Sequence, residues 1–356
     1  MATTAWTVVI GATTFTSHVV SLSLDLGKQT FFDEWNGGNV TITLRNNTNQ
    51  CGSIAQGETI KLQTNCYFFV TNIAFDEGIT DAEATCTVTG MDAIANLAQY
   101  GLGASSGAST SPTQQMYDIW NASGIQPPYM DPPLTAVSTV SGTTAEDTTI
   151  GNRFSTLINS EMGSLVSDAA TIYPYPYSYF KTSQYTFGRS GTAGIPYYNL
   201  QRMAGTSLSA NNVIIDYVSS TATYIQPFAT YKRTYTRSTV LTAGLSANQA
   251  QFFVTLLTDP TTISGELSWT DKAASTALNN GWMSQFWITP AFMATLEYKL
   301  PGASATSKRI KIEGVSCNAT PDATDWTVYF SDGDLYDDYI LDSASGILGV
   351  TRFGWQ

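Results

Sequence analysis

Val20, Leu22, Leu24 and Leu26 alternate with Ser21, Ser23 and Asp25, and a period of two is the signature of a half-buried β-strand. Successive strand side chains point to opposite faces, so this pattern sets one sheet face against a core and the other toward water. It returns at Val40, Ile42 and Leu44, behind the turn Asn36-Gly37-Gly38. Another apolar stretch, Tyr67 to Ile73, passes through Asp76-Glu77-Gly78 into Ala84 to Val88. Strands this closely spaced predict a small antiparallel barrel or sandwich of about 90 residues, taken as an N-terminal β-barrel over residues 1–100. Further strands are predicted at Ile263 to Trp269, Trp287 to Ile288, Met293 to Leu300, Lys308 to Val315 and Trp326 to Phe330. They make residues 226–356 a second barrel-like β module, with a C-terminal hairpin and a terminal extension.

Helical signals are fewer. Thr89-Gly90-Met91-Asp92 reads as a capping box, with Thr89 as the cap of a helix over Ala93 to Tyr100. Residues 101–147 are a Gly/Ser/Pro-rich connector with one short helix, Thr113 to Asn121. From residue 148 a helical period places Ile150, Phe154, Leu157 and Ile158 on one face. Strands at Tyr185 to Phe187 and Asn212 to Val218 complete a small α+β module over 148–225. Ser246-Ala247-Asn248-Gln249 is a second capping box, and its helix carries Phe252, Phe253, Leu256 and Leu257 until Asp259-Pro260 stops it. The class is β-dominated α+β, built from several small modules with a few short helices.

Composition narrows the function. Only 12% of residues are charged while 43% are hydrophobic, and the net charge is -12. A generic nucleic-acid binder needs a basic footprint, which this chain lacks, and the same balance disfavours an anionic membrane surface. No apolar run reaches the roughly 20 residues of a bilayer span. The first residues show neither a basic nor an apolar leader region, so no signal peptide is expected. A surface of Ser, Thr, Asn and Tyr in place of ions suits large contact areas, where buried charges are costly.

The chemical inventory is thin. His18 is the single histidine, so any Ser-His-Asp or Cys-His arrangement would have to use it, and no nucleophile-elbow motif accompanies it. Cys51, Cys66, Cys86 and Cys317 have no metal-ligand spacing. Cys51 and Cys66 flank a short segment and could pair in an oxidising exterior, but small buried thiols are the favoured reading. The acidic run Ser331 to Asp338 lacks the spacing of a calcium loop and reads as a solvated turn. No Walker-type or dinucleotide-binding glycine loop is present. No catalytic residue, metal or cofactor is therefore assigned. The aromatic run Tyr173, Tyr175, Tyr177, Tyr179 and Phe180 is the candidate interface, since tyrosine is enriched where proteins meet. It would equally serve as a sugar-binding face, so a carbohydrate-binding or carbohydrate-processing host-recognition protein is the alternative reading.

The order of the modules carries a resemblance. Asn39-Val-Thr-Ile-Thr-Leu-Arg-Asn46, then Thr87-Val-Thr-Gly-Met-Asp-Ala-Ile-Ala-Asn-Leu97, resembles the first barrel of bacteriophage tail hub and minor tail proteins. Ile195 to Leu200, Asn212 to Tyr217 and the helix Ala247 to Leu257 are similar to their middle modules. Ile312 to Pro321 with Trp326 to Ser331 resembles their last β-hairpin, and Tyr339 to Trp355 their terminal segment. The resemblance implies a non-enzymatic virion component assembled in the host cytoplasm. It also implies a symmetric homo-oligomeric ring, trimer favoured over hexamer, joining the tail tube or distal tail to tail tip or fibre proteins.

Overall fold

The structure, a computed structural model, describes residues 6–30, 33, 35, 37–62, 66–102, 111–126, 128–130, 149–168, 170–175, 183–189, 195–204, 210–217, 220–227, 232–241, 243–258, 263–272, 292–299, 302 and 304–333. The predicted β-dominated α+β class is observed. In chain order the first strands are β1 (Val8–Ile10), β2 (Thr13–Thr14), β3 (Val19–Gly27), β4 (Asn39–Arg45), β5 (Thr59–Leu62), β6 (Cys66–Asp76) and β7 (Thr85–Met91). Val40, Ile42 and Leu44 all point inward on β4, as the alternation requires. On β3 the register against β4 shifts between Val19 and Ser21. This bulge buries Val19, Leu22 and Leu24 and leaves Val20 half-buried, which corrects the simple alternation from Val20.

The middle of the chain holds α1 (Ala93–Leu97), α2 (Pro112–Ser123), β8 (Tyr129–Met130), α3 (Ile150–Glu161), β9 (Ser164–Asp168) and β10 (Thr171–Tyr175). Thr89 is not the cap of α1. It stays in the β7 ladder, opposite Thr41 and Asn72, and Asp92 caps instead, its carboxylate accepting from the Ala95 N–H at 2.8 Å. Gly37 is required here, because a Cβ on it would lie 2.2 Å from that of Ala95. Burial pushes the Asp92 carboxyl up to about 6, against the pull of the Ala95, Gly38 and Ile94 backbone. The connector helix is found as α2, capped by Ser111 and closed by left-handed Gly124. On α3, Ile150, Phe154, Leu157 and Ile158 are all buried, as their spacing predicts.

Next come β11 (Ser183–Arg189), β12 (Ile195–Tyr197), β13 (Asn199–Ala204), β14 (Asn212–Tyr217), β15 (Ser220–Ile225), β16 (Thr234–Thr239) and α4 (Ala243–Thr258). The second capping box is also corrected. Ser246 and Gln249 are buried inside α4, and the Gln249 amide donates to the Ser160 carbonyl at 2.9 Å. The last strands are β17 (Ile263–Lys272), β18 (Met293–Lys299), β19 (Ala305–Ala319) and β20 (Ala323–Asp332). The strand expected at Trp287 to Ile288 lies outside the described residues.

Hydrogen bonding joins the early strands of the chain to the late ones. One 14-stranded sheet runs β12-β11-β18-β19-β3-β4-β7-β6-β5-β1-β2, with β20, β17 and β13 branching from β19. Strand β19 is the hinge of this order: residues 305–311 pair with β18, residues 314–319 pair with β3, and β20 lies along its other side. Two three-stranded sheets, β8-β10-β9 and β15-β14-β16, stand apart from it. One apolar core fills the large sheet, and a second lies among the four helices and the small sheets.

The branched order has free ends at β12, β2 and β13, and no pairing between described residues closes it into a ring. Side chains bridge the gap instead. Trp6 stacks on Trp326 at 5.8 Å, Trp326 stacks on Trp269 at 5.9 Å, and Trp269 meets Phe187 at 6.2 Å. The Trp6 indole N–H also donates to the Thr324 hydroxyl at 3.2 Å. Trp326, Val328 and Phe330 share one buried face of β20, as predicted. Trp326→Ala removes the middle of this column, and a loss of about 3–5 kcal/mol is expected. Equilibrium denaturation measures it; an unchanged midpoint would show that the column does not hold the two chain ends together.

Candidate assembly surface and the buried charge junction

The sequence residues with chemical potential are dispersed. His18 ends a 3-10 turn, half-buried, with its ring edge-on to Phe15 at 6.5 Å. All four cysteines are buried, and none is in a disulfide. Cys51 is engaged with Cys86, and burial first, then Cys86, pushes its thiol up to about 12. Burial likewise pushes Cys317 up. These thiols are held in the unreactive neutral form. Among the described residues, no group of three His, Cys, Asp or Glu side chains is placed to hold a metal ion.

The tyrosine run is half visible. Tyr173 and Tyr175 lie on the same side of β10, their rings stacked at 6.0 Å with 12° between planes. Thr171 on that strand pairs with Tyr129, which is exposed. Tyr177, Tyr179 and Phe180 lie outside the described residues.

Sequence reasoning missed a cluster of charges in the interior. The β19–β20 register shifts between Ile312 and Gly314, so Glu313 sits at a bulge. A bulge re-aims side chains, and Glu313 is fully buried with its carboxylate accepting from the Ser331 hydroxyl. The Lys28 ammonium lies 3.6 Å from it. Lys28 also stands 5.8 Å over the Trp35 ring, and the Trp35 indole donates to the Gly163 carbonyl at 3.0 Å. The charge thus sits where β3, β19 and β20 meet the α3 end of the second core. Nearby, Lys308 pairs with Asp332 at 2.5 Å, and Asp332 accepts from the Ile263 N–H. The available signal was a run of charges inside an apolar strand, Lys311-Ile312-Glu313, which a simple half-buried strand does not tolerate.

Burial lowers the Lys28 pKa, with Glu313 opposing the shift. Lys311 is lowered to about 8 by burial, against Glu313 and with help from Lys28. An unfolded lysine titrates near 10.4. Between those values the unfolded chain holds a proton that the folded chain has released, so Lys311 makes stability rise with pH through that window.

No protein-family model matches the chain, and no curated protein does. Solved structures do. A tail protein from Neisseria meningitidis superposes with a TM-score of 0.64 at 11% identity, over 93% of this chain and 97% of its own. The 43 kDa tail protein of prophage MuSo2 from Shewanella oneidensis gives 0.57 at 10% identity, over 94% and 98%. An E. coli component of the type VI secretion system, described as similar in structure to the T4 tail proteins gp27 and gp5, gives 0.55 at 11%, over 91% and 76%. The chain has the fold of phage tail proteins. Within this tail-protein fold, the hairpin resemblance drawn from Ile312 to Ser331 falls on β19 and β20, the strands that carry the charge junction. The terminal segment Tyr339 to Trp355 lies outside the described residues.

Two outcomes test the junction. Glu313→Gln leaves Lys28 and Lys311 without their carboxylate and should cost about 3–5 kcal/mol of stability, read from denaturant midpoints; a loss within experimental error would contradict the account. Separately, wild-type stability should rise between about pH 8 and about pH 10 by more than that of Lys311→Met. Parallel pH profiles for the two chains would assign the titration to other groups.

Proposed function

We propose that this chain is a tail hub or minor tail protein. It forms a symmetric ring at the distal end of a phage tail and joins the tail tube to host-contacting tip proteins. The observation that carries this reading is the superposition on a Neisseria tail protein along nearly the whole of both chains. The low charge content supports it independently, since ring contacts bury area that ions would make costly. Closed symmetry is the usual way for a soluble chain to bury such area, and a trimer is favoured. On this reading the role is structural rather than enzymatic, in keeping with the tail-protein fold. Among the described residues no helix is long and apolar enough to cross a membrane. On this reading the protein assembles in the host cytoplasm into the virion. The carbohydrate alternative gains no support from the neighbours named above.

In this proposal the face bearing Tyr129, Tyr173 and Tyr175 contacts a neighbouring protein, and Tyr177, Tyr179 and Phe180 take part in the same contact. Tyrosines supply large contact area at low entropic cost. Antibody labelling of intact particles against this chain should mark the tail tip. Replacing Tyr175, Tyr177 and Tyr179 with Ser should reduce incorporation into particles while leaving the melting temperature of the free chain close to wild type. Wild-type incorporation of the triple variant would remove the segment from the interface, and label confined to the capsid would end the tail reading.

A further inference from the structure

The β6–β7 hairpin runs past the body of the large sheet. Residues 74–83 are all exposed, with Phe75 at 52% and Ile79 at 96%. The same stretch carries Asp76, Glu77, Asp81 and Glu83 and no lysine or arginine. Two of these carboxylates shape the tip, since Asp76 accepts from the Gly78 N–H at 3.1 Å and Glu83 from the Ile79 N–H at 3.3 Å. None of the four is ion-paired among the described residues. The hairpin therefore presents an ordered apolar point inside a ring of negative charge.

The complement lies on another face of the same molecule. At one end of the β15-β14-β16 sheet, Asn212 pairs with Ile225 on one side and Thr234 on the other. Asn211 ties that end together: its carbonyl accepts from the Gln226 N–H at 2.9 Å, and its side chain accepts from the Arg233 N–H at 2.8 Å. The end displays Ile225, 38% exposed, beside exposed Lys232 and Arg233, neither of which is ion-paired among the described residues. Residues 210–241 hold three cations, Lys232, Arg233 and Arg237, against the single carboxylate of Asp216. In a chain of net charge -12 such a basic spot is a minority feature.

Both patches are exposed, so neither covers the other within one chain. From this complementarity we infer that the hairpin tip of one copy seats on the Asn211–Arg233 end of the small sheet in the next copy. Phe75 and Ile79 meet Ile225, while the surrounding carboxylates face Lys232 and Arg233. Two different patches make a head-to-tail contact, and repeated head-to-tail contacts close into a ring when the rotation allows. The occupant is a second copy because like-charged surfaces elsewhere on so acidic a chain repel one another, which leaves few pairs of faces that attract. This inference names the contact for the ring proposed above and rests on that reading.

Charge exchange in the full chain tests it, with mass measured by light scattering and folding checked by melting temperature. Asp81→Lys with Glu83→Lys should weaken self-association about tenfold or more at low salt, and so should Lys232→Glu with Arg233→Glu, because juxtaposed like charges are strongly unfavourable. Combining all four substitutions in one chain should restore association, since the signs are opposite again. Raising salt to about 0.5 M should shrink the differences between the variants. If the wild type associates and the reversed chains associate equally well, or if the combined chain fails to recover, the contact is wrong. A wild type that stays monomeric also overturns it. Incorporation into particles separates this from the tail role: wild-type chain found in tails, with charge-reversed chains self-associating normally but missing from them, would place the hairpin against a different protein. Wild-type chain absent from tails removes the tail role whatever the charge exchange shows.

Discussion

Strand β19 has to serve two neighbours along one edge, and everything else in the fold accommodates that. Its 15 residues span roughly 50 Å at the usual rise per residue, with β18 beside its first half and β3 beside its second. The bulge at Ile312–Gly314 falls at the change of partner. There the backbones come so close that a Cβ on Gly314 would lie 2.4 Å from the Lys28 carbonyl oxygen. The same bulge turns Glu313 inward, where Lys28 and Ser331 receive it. A buried carboxylate without such partners would be prohibitively costly. Misalignment of β3 against β19 therefore carries an electrostatic penalty as well as lost hydrogen bonds, and the junction specifies register.

The local parts of this architecture were legible in the sequence. Val40, Ile42 and Leu44 announce their strand by period two, as do Trp326, Val328 and Phe330. Ile150, Phe154, Leu157 and Ile158 announce α3 by helical spacing. Each pattern is complete within a few residues, so no distant information is needed. Failures came where distant partners decide. Thr89 has the spacing of a cap, but Thr41 and Asn72 hold it in a ladder. Ser246 and Gln249 have the same spacing, but Ser160 engages Gln249 from another helix. The pairing of Leu24 with Cys317 spans most of the chain, and no local periodicity encodes it. The candidate interface was legible only in part: composition marked Tyr173 and Tyr175, while Tyr129 joins them through a parallel pairing that no local pattern encodes.

Charge is scarce in this chain, and its placement divides into two uses. Lys28, Lys311, Glu313 and Asp332 are spent inside, where the low dielectric strengthens pairing and fixes geometry, and half-buried Lys308 reaches in to Asp332. The hairpin carboxylates and the Lys232–Arg233 pair are spent outside, where charge mainly steers and selects partners. Beside the buried charges, the column from Trp6 to Phe187 runs through the core of the large sheet.

The central claim is that β3 and β19 bind the N-terminal and C-terminal strands into one cooperative unit. Native-state hydrogen exchange tests it directly, because amide opening energies reveal which elements unfold together. Amides of β3, β4 and β7 should open with the same free energy and denaturant dependence as those of β19 and β20. Protection that persists in β3, β4 and β7 under conditions where β19 and β20 exchange freely would contradict the account, showing two independent bodies where one shared sheet is described.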